Sequence, residues 1–220
     1  MPEPLLVARE LSCRYERRWT LRRVSLSVQR GCLVALVGDN GAGKSTLLRL
    51  LAGVQRPAEG GTHIAGLAVS TPLPAPLRSS VAYLGHHVFV YADLTGLENI
   101  TFFLGLYGGS AGLDQAKAII ARVGLEAAGN AQVKTYSRGM VQRLALGRLL
   151  AQQADLWLLD EPTTGLDVSG IAMLRGLLRE LAERGGAAIV ATHDIERFET
   201  DFSGRITLRG GRIVEGGVTP

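Results

Sequence analysis

With 220 residues, 46% of them hydrophobic, the chain can bury the core of one compact domain. No apolar run approaches the roughly 18 residues of a membrane span, and the opening MPEPLLVARELS carries acidic residues but no basic n-region, so neither a membrane-spanning helix nor a secretory signal is expected. The net charge of +4 includes a cluster at Arg14, Arg17, Arg18, Arg22 and Arg23, for which a solvated face is the expectation over a nucleic-acid stripe.

In chain order, the first elements alternate. Leu11, Cys13 and Tyr15 share one face, and Val24, Leu26 and Val28 share another, which predicts half-buried antiparallel strands. Cys13 and Cys32 form no CxxC pair and are expected to be reduced thiols. CLVALVG, residues 32–38, is a continuous apolar run too short for a helix and reads as a strand buried on both faces. A helix follows, with Leu47, Leu48, Leu51 and Val54 expected on one buried side.

Between strand and helix lies GDNGAGKST, residues 38–46, which fits G-x-x-x-x-G-K-[ST] in the context that motif requires. Gly41 and Gly43 let the backbone curl so that successive N–H groups point at phosphate oxygens, and the helix dipole adds positive potential. Lys44 is placed to reach the β and γ phosphates, and Ser45 to offer its hydroxyl to Mg²⁺. Lysine is scarce here: of 24 basic residues only Lys44, Lys117 and Lys134 are lysine. A lysine retained in a glycine-rich loop is therefore informative, because a compact ammonium and a planar fork are not interchangeable.

STPLPAPLRSS, residues 70–80, is expected to be a surface loop between strands. Residues 88–153 read as a helical lobe inserted between residues 1–87 and 154–220 of an α/β core. Inside the lobe, Ser137 is a good N-cap for a helix whose apolar stripe is Val141, Leu144, Ala145 and Leu149. Its free N–H groups, with Gly139 permitting close approach, suit an anion. By itself this is only a capped helix.

LWLLD, 156–160, and AAIVATH, 187–193, are two further buried strands. Asp160 ends the first, where a charge is costly unless it meets a cation. Asp160 is assigned to the metal ion, and Glu161 to orienting or deprotonating the attacking water. His193 ends the last strand and is assigned to the γ phosphate. All three apolar strands deliver polar residues at their carboxyl ends, where open α/β sheets bind ligands. Tyr15 has two readings, an adenine-stacking ring or a packing aromatic.

In this order, Tyr15, GDNGAGKST, YSRGM, LWLLDEP, GLD and ATHD, the chain resembles the nucleotide-binding subunit of ABC transporters over nearly all its length. The resemblance implies a P-loop NTPase fold with a parallel core sheet, an N-terminal antiparallel β subdomain and an inserted helical subdomain. It implies ATP and Mg²⁺ as cofactors, with Gly38, Asn40, Gly41, Gly43, Lys44, Ser45 and Thr46 on the nucleotide. It further implies a head-to-tail dimer, in which Ser137 and Gly139 of one subunit hold the nucleotide of the other. The implied partners are separate transmembrane permease subunits on the cytoplasmic side of the membrane, with no nucleic acid.

Two departures stand out. Tyr136, Arg138 and Met140 replace Leu, Gly and Gln of the usual LSGGQ signature, while Ser137 and Gly139 remain. His87 takes the place of a glutamine that touches Mg²⁺, which predicts weakened or pH-sensitive coupling to the ion. His86 and His87 together are not expected to form a metal site, for want of a third ligand. The segment LGHH…LTGLENITFF resembles the ATPase of haem exporters for cytochrome c maturation. The same plan fits an exporter ATPase for lipid, polysaccharide or drug. Repair and translation ATPases of this class would carry a coiled-coil insertion or tandem cassettes, and a GTPase would carry N-K-x-D. None of these occurs here.

Overall fold

A computed structural model describes residues 3–16, 18–85, 87–108, 112–198 and 201–216. The chain runs β1 (Leu6–Tyr15), β2 (Arg18–Val28), β3 (Leu33–Val37), α1 (Lys44–Leu51), β4 (Glu59–Ile64), β5 (Leu67–Ala68) and β6 (Val81–Leu84). It continues through α2 (Gly96–Leu106), α3 (Leu113–Arg122), α4 (Arg138–Gln152), β7 (Leu156–Asp160), α5 (Val168–Glu183), β8 (Ala187–Ala191), β9 (Gly204–Arg209) and β10 (Arg212–Glu215).

The period-two segments at the start pair antiparallel, with Leu6 opposite Val28 and Cys13 opposite Leu21. They belong to a four-stranded sheet in the order β2-β1-β4-β5. The continuous apolar runs lie in a six-stranded sheet, β10-β9-β3-β8-β7-β6. Neighbours from β6 through β9 are parallel, and only the β9–β10 hairpin is antiparallel. Each run is apolar at every position because the sheet is covered on both faces. Leu156 and Leu158 point into the core shared with α1 and the antiparallel sheet, while Trp157 and Leu159 point into the core shared with the other helices.

The helix after the phosphate loop stops earlier than its periodicity predicts. Leu47, Leu48 and Leu51 are fully buried, but Val54 lies beyond the helix and is 56% exposed. Gly53 adopts φ +63°, and a Cβ there would meet Ser70 O and Leu73 Cδ2 at 2.8 Å, so the chain turns away before Val54 can join the stripe.

In the segment 88–153, α2 starts with a reciprocal cap. Thr95 Oγ1 accepts from Glu98 N, and Glu98 Oε2 accepts from Thr95 N at 2.7 Å. Buried Asn99 then bonds both the N–H and the carbonyl of Tyr91, fastening the loop after β6 to α2. At the far end of α4, Arg148 Nη2 donates to Tyr83 O at 2.8 Å, and Gln152 Nε2 donates to Val81 O at 2.7 Å. The helix is thereby anchored to β6.

A second clamp joins α5 to the segment before β9. Arg175 and Arg179 both donate to Asp201, whose side chain is 2% exposed. Burial alone would raise its pKa, but hydrogen bonds and charge from the two guanidiniums overcome it and hold the carboxyl below the ordinary range. A depressed folded pKa stabilises above the unfolded value and ceases to as pH falls through the folded one. Asp201→Asn should cost about 1.5–3 kcal/mol at neutral pH, the range for hydrogen bonds to a charged group. In urea titrations the gap to wild type should close in acid, and a gap constant from pH 7 down to 3 would exclude the clamp as its source.

Candidate functional site

The phosphate loop leaves β3 through a passage only glycine fits. Gly38 has φ +152°, and a Cβ there would sit 2.1 Å from Leu208 O of β9. Gly43, at φ +108°, also runs close to β2, with 2.8 Å from its would-be Cβ to Leu21 Cδ2 and 3.0 Å to Thr20 O. The loop therefore curls against two neighbouring strands and delivers α1 with its N-terminus open. Lys44, the first residue of α1, is only 7% exposed. Its Nζ donates to Gly38 O at 2.6 Å and Asp39 O at 3.3 Å, and lies 3.3 Å from His193 Nε2. The ammonium is thus held against the loop's own carbonyls, with His193 beside it.

β7 brings the acidic pair to the same place. Asp160 is 4% exposed at the strand end. Glu161 follows with φ +50°, a conformation unusual for a side-chain-bearing residue, held by its N–H donating to Ala191 O of β8 at 2.9 Å. Glu161 Oε1 is buried, makes no aligned hydrogen bond, and lies 3.3 Å from His193 Nε2. His193 sits just past β8, in a turn fixed by Asp194 N donating to Thr192 Oγ1. A Lys–His–Glu line thus crosses the mouth of the site.

These groups share one cavity of about 510 Å³, into which Asn40, Gly41, Gly43, Lys44, Ser45 and Thr46 face from the loop, and Asp160, Glu161 and His193 from the strand ends. Gly38 lies beneath it and contributes its carbonyl to Lys44. Two lining residues carried no sequence signal. Thr20 enters from β2, far away in the chain, and Thr164 lies in the turn after Pro162.

Besides Gly38, four of the assigned residues stand outside that cavity. Tyr15 is 46% exposed, and its hydroxyl donates to Gln55 Oε1 at 2.8 Å. Its ring is held near the end of α1 without lining the cavity. His87 is exposed, 6.5 Å from the Phe89 ring, while its neighbours Gly85 and Val88 line a smaller cavity of about 180 Å³. His86 lies outside the described residues. Ser137 caps α4 as its sequence predicts, accepting from Met140 N at 3.3 Å. Gly139 packs on the GLD turn, where a Cβ would meet Gly165 O at 2.7 Å.

Arg138 has a definite direction. Its Cγ would lie 3.2 Å from a Cβ on Gly165, and it lines the smaller cavity with Asp160, Glu161 and Thr164 of its own chain. The signature tip and the acidic turn are further joined by Gln142 Nε2 donating to Pro162 O, and by Arg143 donating to Asp167 at 2.7 Å. Asp167 caps α5, and the Gly170 N–H, then Arg143 and Ser169, hold its carboxyl below the ordinary range.

A family model described as "ABC transporter" matches residues 21–164, which span the phosphate loop, the signature helix and the acidic turn. The chain belongs to the ABC transporter family. This ABC ATPase is 40% identical over 193 residues to the cytochrome c biogenesis ATP-binding export protein CcmA 2 of Cupriavidus metallidurans, covering 88% of this chain and 91% of that protein. It is 38% identical to the CcmA of Methylococcus capsulatus over 88% of this chain and 93% of that one, and 36% identical to the CcmA of Salmonella typhi over 94% and 98%. Among solved structures, an ATP-binding subunit of an ABC transporter superposes with a TM-score of 0.88 at 28% identity, over 97% of this chain and 90% of that one. A dimeric ATP-binding cassette bound to ADP and Pi superposes with 0.84 at 23% identity, over 98% and 99%, and shows the shared fold. This ABC ATPase binds and hydrolyses ATP, and among the described residues no helix is long and apolar enough to cross a membrane.

Proposed function

We propose that this ATPase powers a membrane exporter serving cytochrome c biogenesis, with haem as the cargo, from the cytoplasmic face of the membrane. The observation that carries the reading is the single cavity joining the phosphate loop to Asp160, Glu161 and His193, in a chain 35–40% identical to proteins named for cytochrome c biogenesis export.

Within that cavity Lys44 and the loop N–H groups hold the β and γ phosphates, Glu161 takes the proton of the attacking water, and His193 holds the γ phosphate. A magnesium ion fits the donors present. Ser45 and Asp160 offer the hard oxygens it prefers, and no group of three or more His, Cys, Asp or Glu side chains is placed among the described residues to hold a metal by itself. Phosphate oxygens would complete its shell, and its charge would neutralise them. Ser137 and Gly139, at the open tip of α4, are assigned to the nucleotide of a second copy.

The membrane subunit is assigned to the aromatic surface after β6. Phe89 is 63% exposed, Tyr91 49%, Phe102 43% and Leu106 61%, with Tyr91 edge-on to Phe102 at 5.0 Å. Such a patch on a soluble surface marks a docking site, and His87 belongs to it rather than to the ion.

Deleting the gene in its host should abolish haem-stained c-type cytochromes. Wild-type chain should restore them and Glu161→Gln should not. Normal covalent haem in the deletion strain would overturn the export assignment and leave the ATPase intact.

A further inference from the structure

The described arginines of the N-terminal cluster, Arg14, Arg18, Arg22 and Arg23, are exposed, as a solvated face requires, and two of them also line a pocket. Ser12, Trp19, Arg22, Arg23, Glu59 and Arg212 line a pocket of about 250 Å³ where β2, at the edge of the antiparallel sheet, meets β10, at the edge of the core sheet. Trp19 lies within the arginine run, and the Arg14 guanidinium covers its ring at 5.8 Å.

The backbone is distorted to build this pocket. A regular strand alternates in and out, yet between buried Leu21 and Val24 both Arg22 and Arg23 are exposed. The β1–β2 register slips three times between Ala8 and Arg14, and Glu10 and Arg23 adopt φ +51° and +49°. Non-glycine residues pay for such angles, and paired bulges re-aim side chains. The arrangement is fixed by Arg23 N donating to Ser12 Oγ at 3.1 Å, and by Arg22 N donating to Gly211 O at 2.8 Å, which brings Arg212 alongside.

The charges do not balance. Glu10 pairs with Arg23. Among the described residues the side chains of Arg22 and Arg212 have neither ion pair nor hydrogen bond, and one carboxylate, Glu59, faces the pocket. Two exposed guanidiniums lining one pocket favour an anion between them, and their planar forks match phosphate oxygens. We propose that this pocket binds a small phosphate-class dianion, with Arg22 and Arg212 as its principal ligands and Trp19 as its apolar wall. It is separate from the ATP cavity, although the next residue, Thr20, lines that one. The phosphate would come from a free anion such as pyrophosphate or from a lipid phosphomonoester headgroup.

The test keeps the ATP cavity filled with a non-hydrolysable ATP analogue and titrates inorganic pyrophosphate while following tryptophan fluorescence. Trp157 is 1% exposed, so a change reports Trp19. Wild type should show a saturable change, at least tenfold weaker in Arg22→Gln/Arg212→Gln, with KM for ATP unchanged. In a parallel arm, vesicles of phosphatidylcholine with or without phosphatidic acid are sedimented with both proteins. Arginine-dependent binding to phosphatidic acid alone would assign the phosphate to a lipid headgroup. No binding in either arm, or equal binding by wild type and variant, overturns the site. Should the double variant fail to fold, Arg212→Gln alone must still weaken binding, and unchanged affinity overturns the proposal.

Discussion

Glu161→Gln is expected to slow ATP turnover at least about 100-fold while leaving ATP binding intact, and the protein should then elute as an ATP-dependent dimer. Glu161 is placed by backbone, not by its own side chain: the left-handed φ and the N–H bond to Ala191 survive the substitution. The amide keeps the size and loses the basicity. With hydrolysis blocked, the γ phosphate would stay in place and, in the dimer proposed above, would continue to join one copy's phosphate loop to the other's helix tip. Size-exclusion chromatography with and without ATP reads this directly. A variant that stays monomeric with bound ATP would remove the shared-nucleotide arrangement, and one retaining more than a tenth of the turnover would remove Glu161 as the base.

Lys44→Ala should abolish measurable ATP affinity, and Lys44→Arg should do nearly as much. The ammonium is enclosed, bonded to two loop carbonyls and close to His193. Alanine deletes the charge that offsets the phosphates. Arginine keeps the charge, but its planar fork must fit where a compact cation now lies 2.6 Å from Gly38 O. Calorimetric titration with ATP distinguishes the cases. Affinity within threefold of wild type for Lys44→Ala would refute its role, and the same result for Lys44→Arg would show that the loop tolerates a fork.

The fold was legible wherever one physical signal dominated. Continuous apolar runs identified β3, β7 and β8 because burial on both faces leaves no room for polar residues. Ser137 as N-cap and the Leu144, Ala145 and Leu149 stripe located α4 at its observed start. Val54 departs from the helical stripe at a glycine turn packed under Ser70, of which periodicity carries no notice. Within the site, residues inside a motif could be read, since spacing fixes them. Thr20 could not, because only the meeting of two sheets brings it to the cavity. Arg138 was legible as a substitution but not as a direction: its orientation toward Glu161 depends on the Gly165 turn. The exposure of the arginine run is legible in its charge, but the bulge that aims Arg22 and Arg23 together, and the place of Trp19 beside them, are not.

The attachment of α4 makes it a lever. Fifteen residues at 1.5 Å apiece give a rod of about 22 Å, with its fulcrum where Arg148 and Gln152 grip β6. Swinging such a rod through only about 10° sweeps the opposite tip by roughly 4 Å, more than the length of a hydrogen bond. Such a swing must first break the Gln142 and Arg143 bonds that tie the tip to the turn after Glu161, so in the dimer proposed above Ser137 and that turn would have to move together.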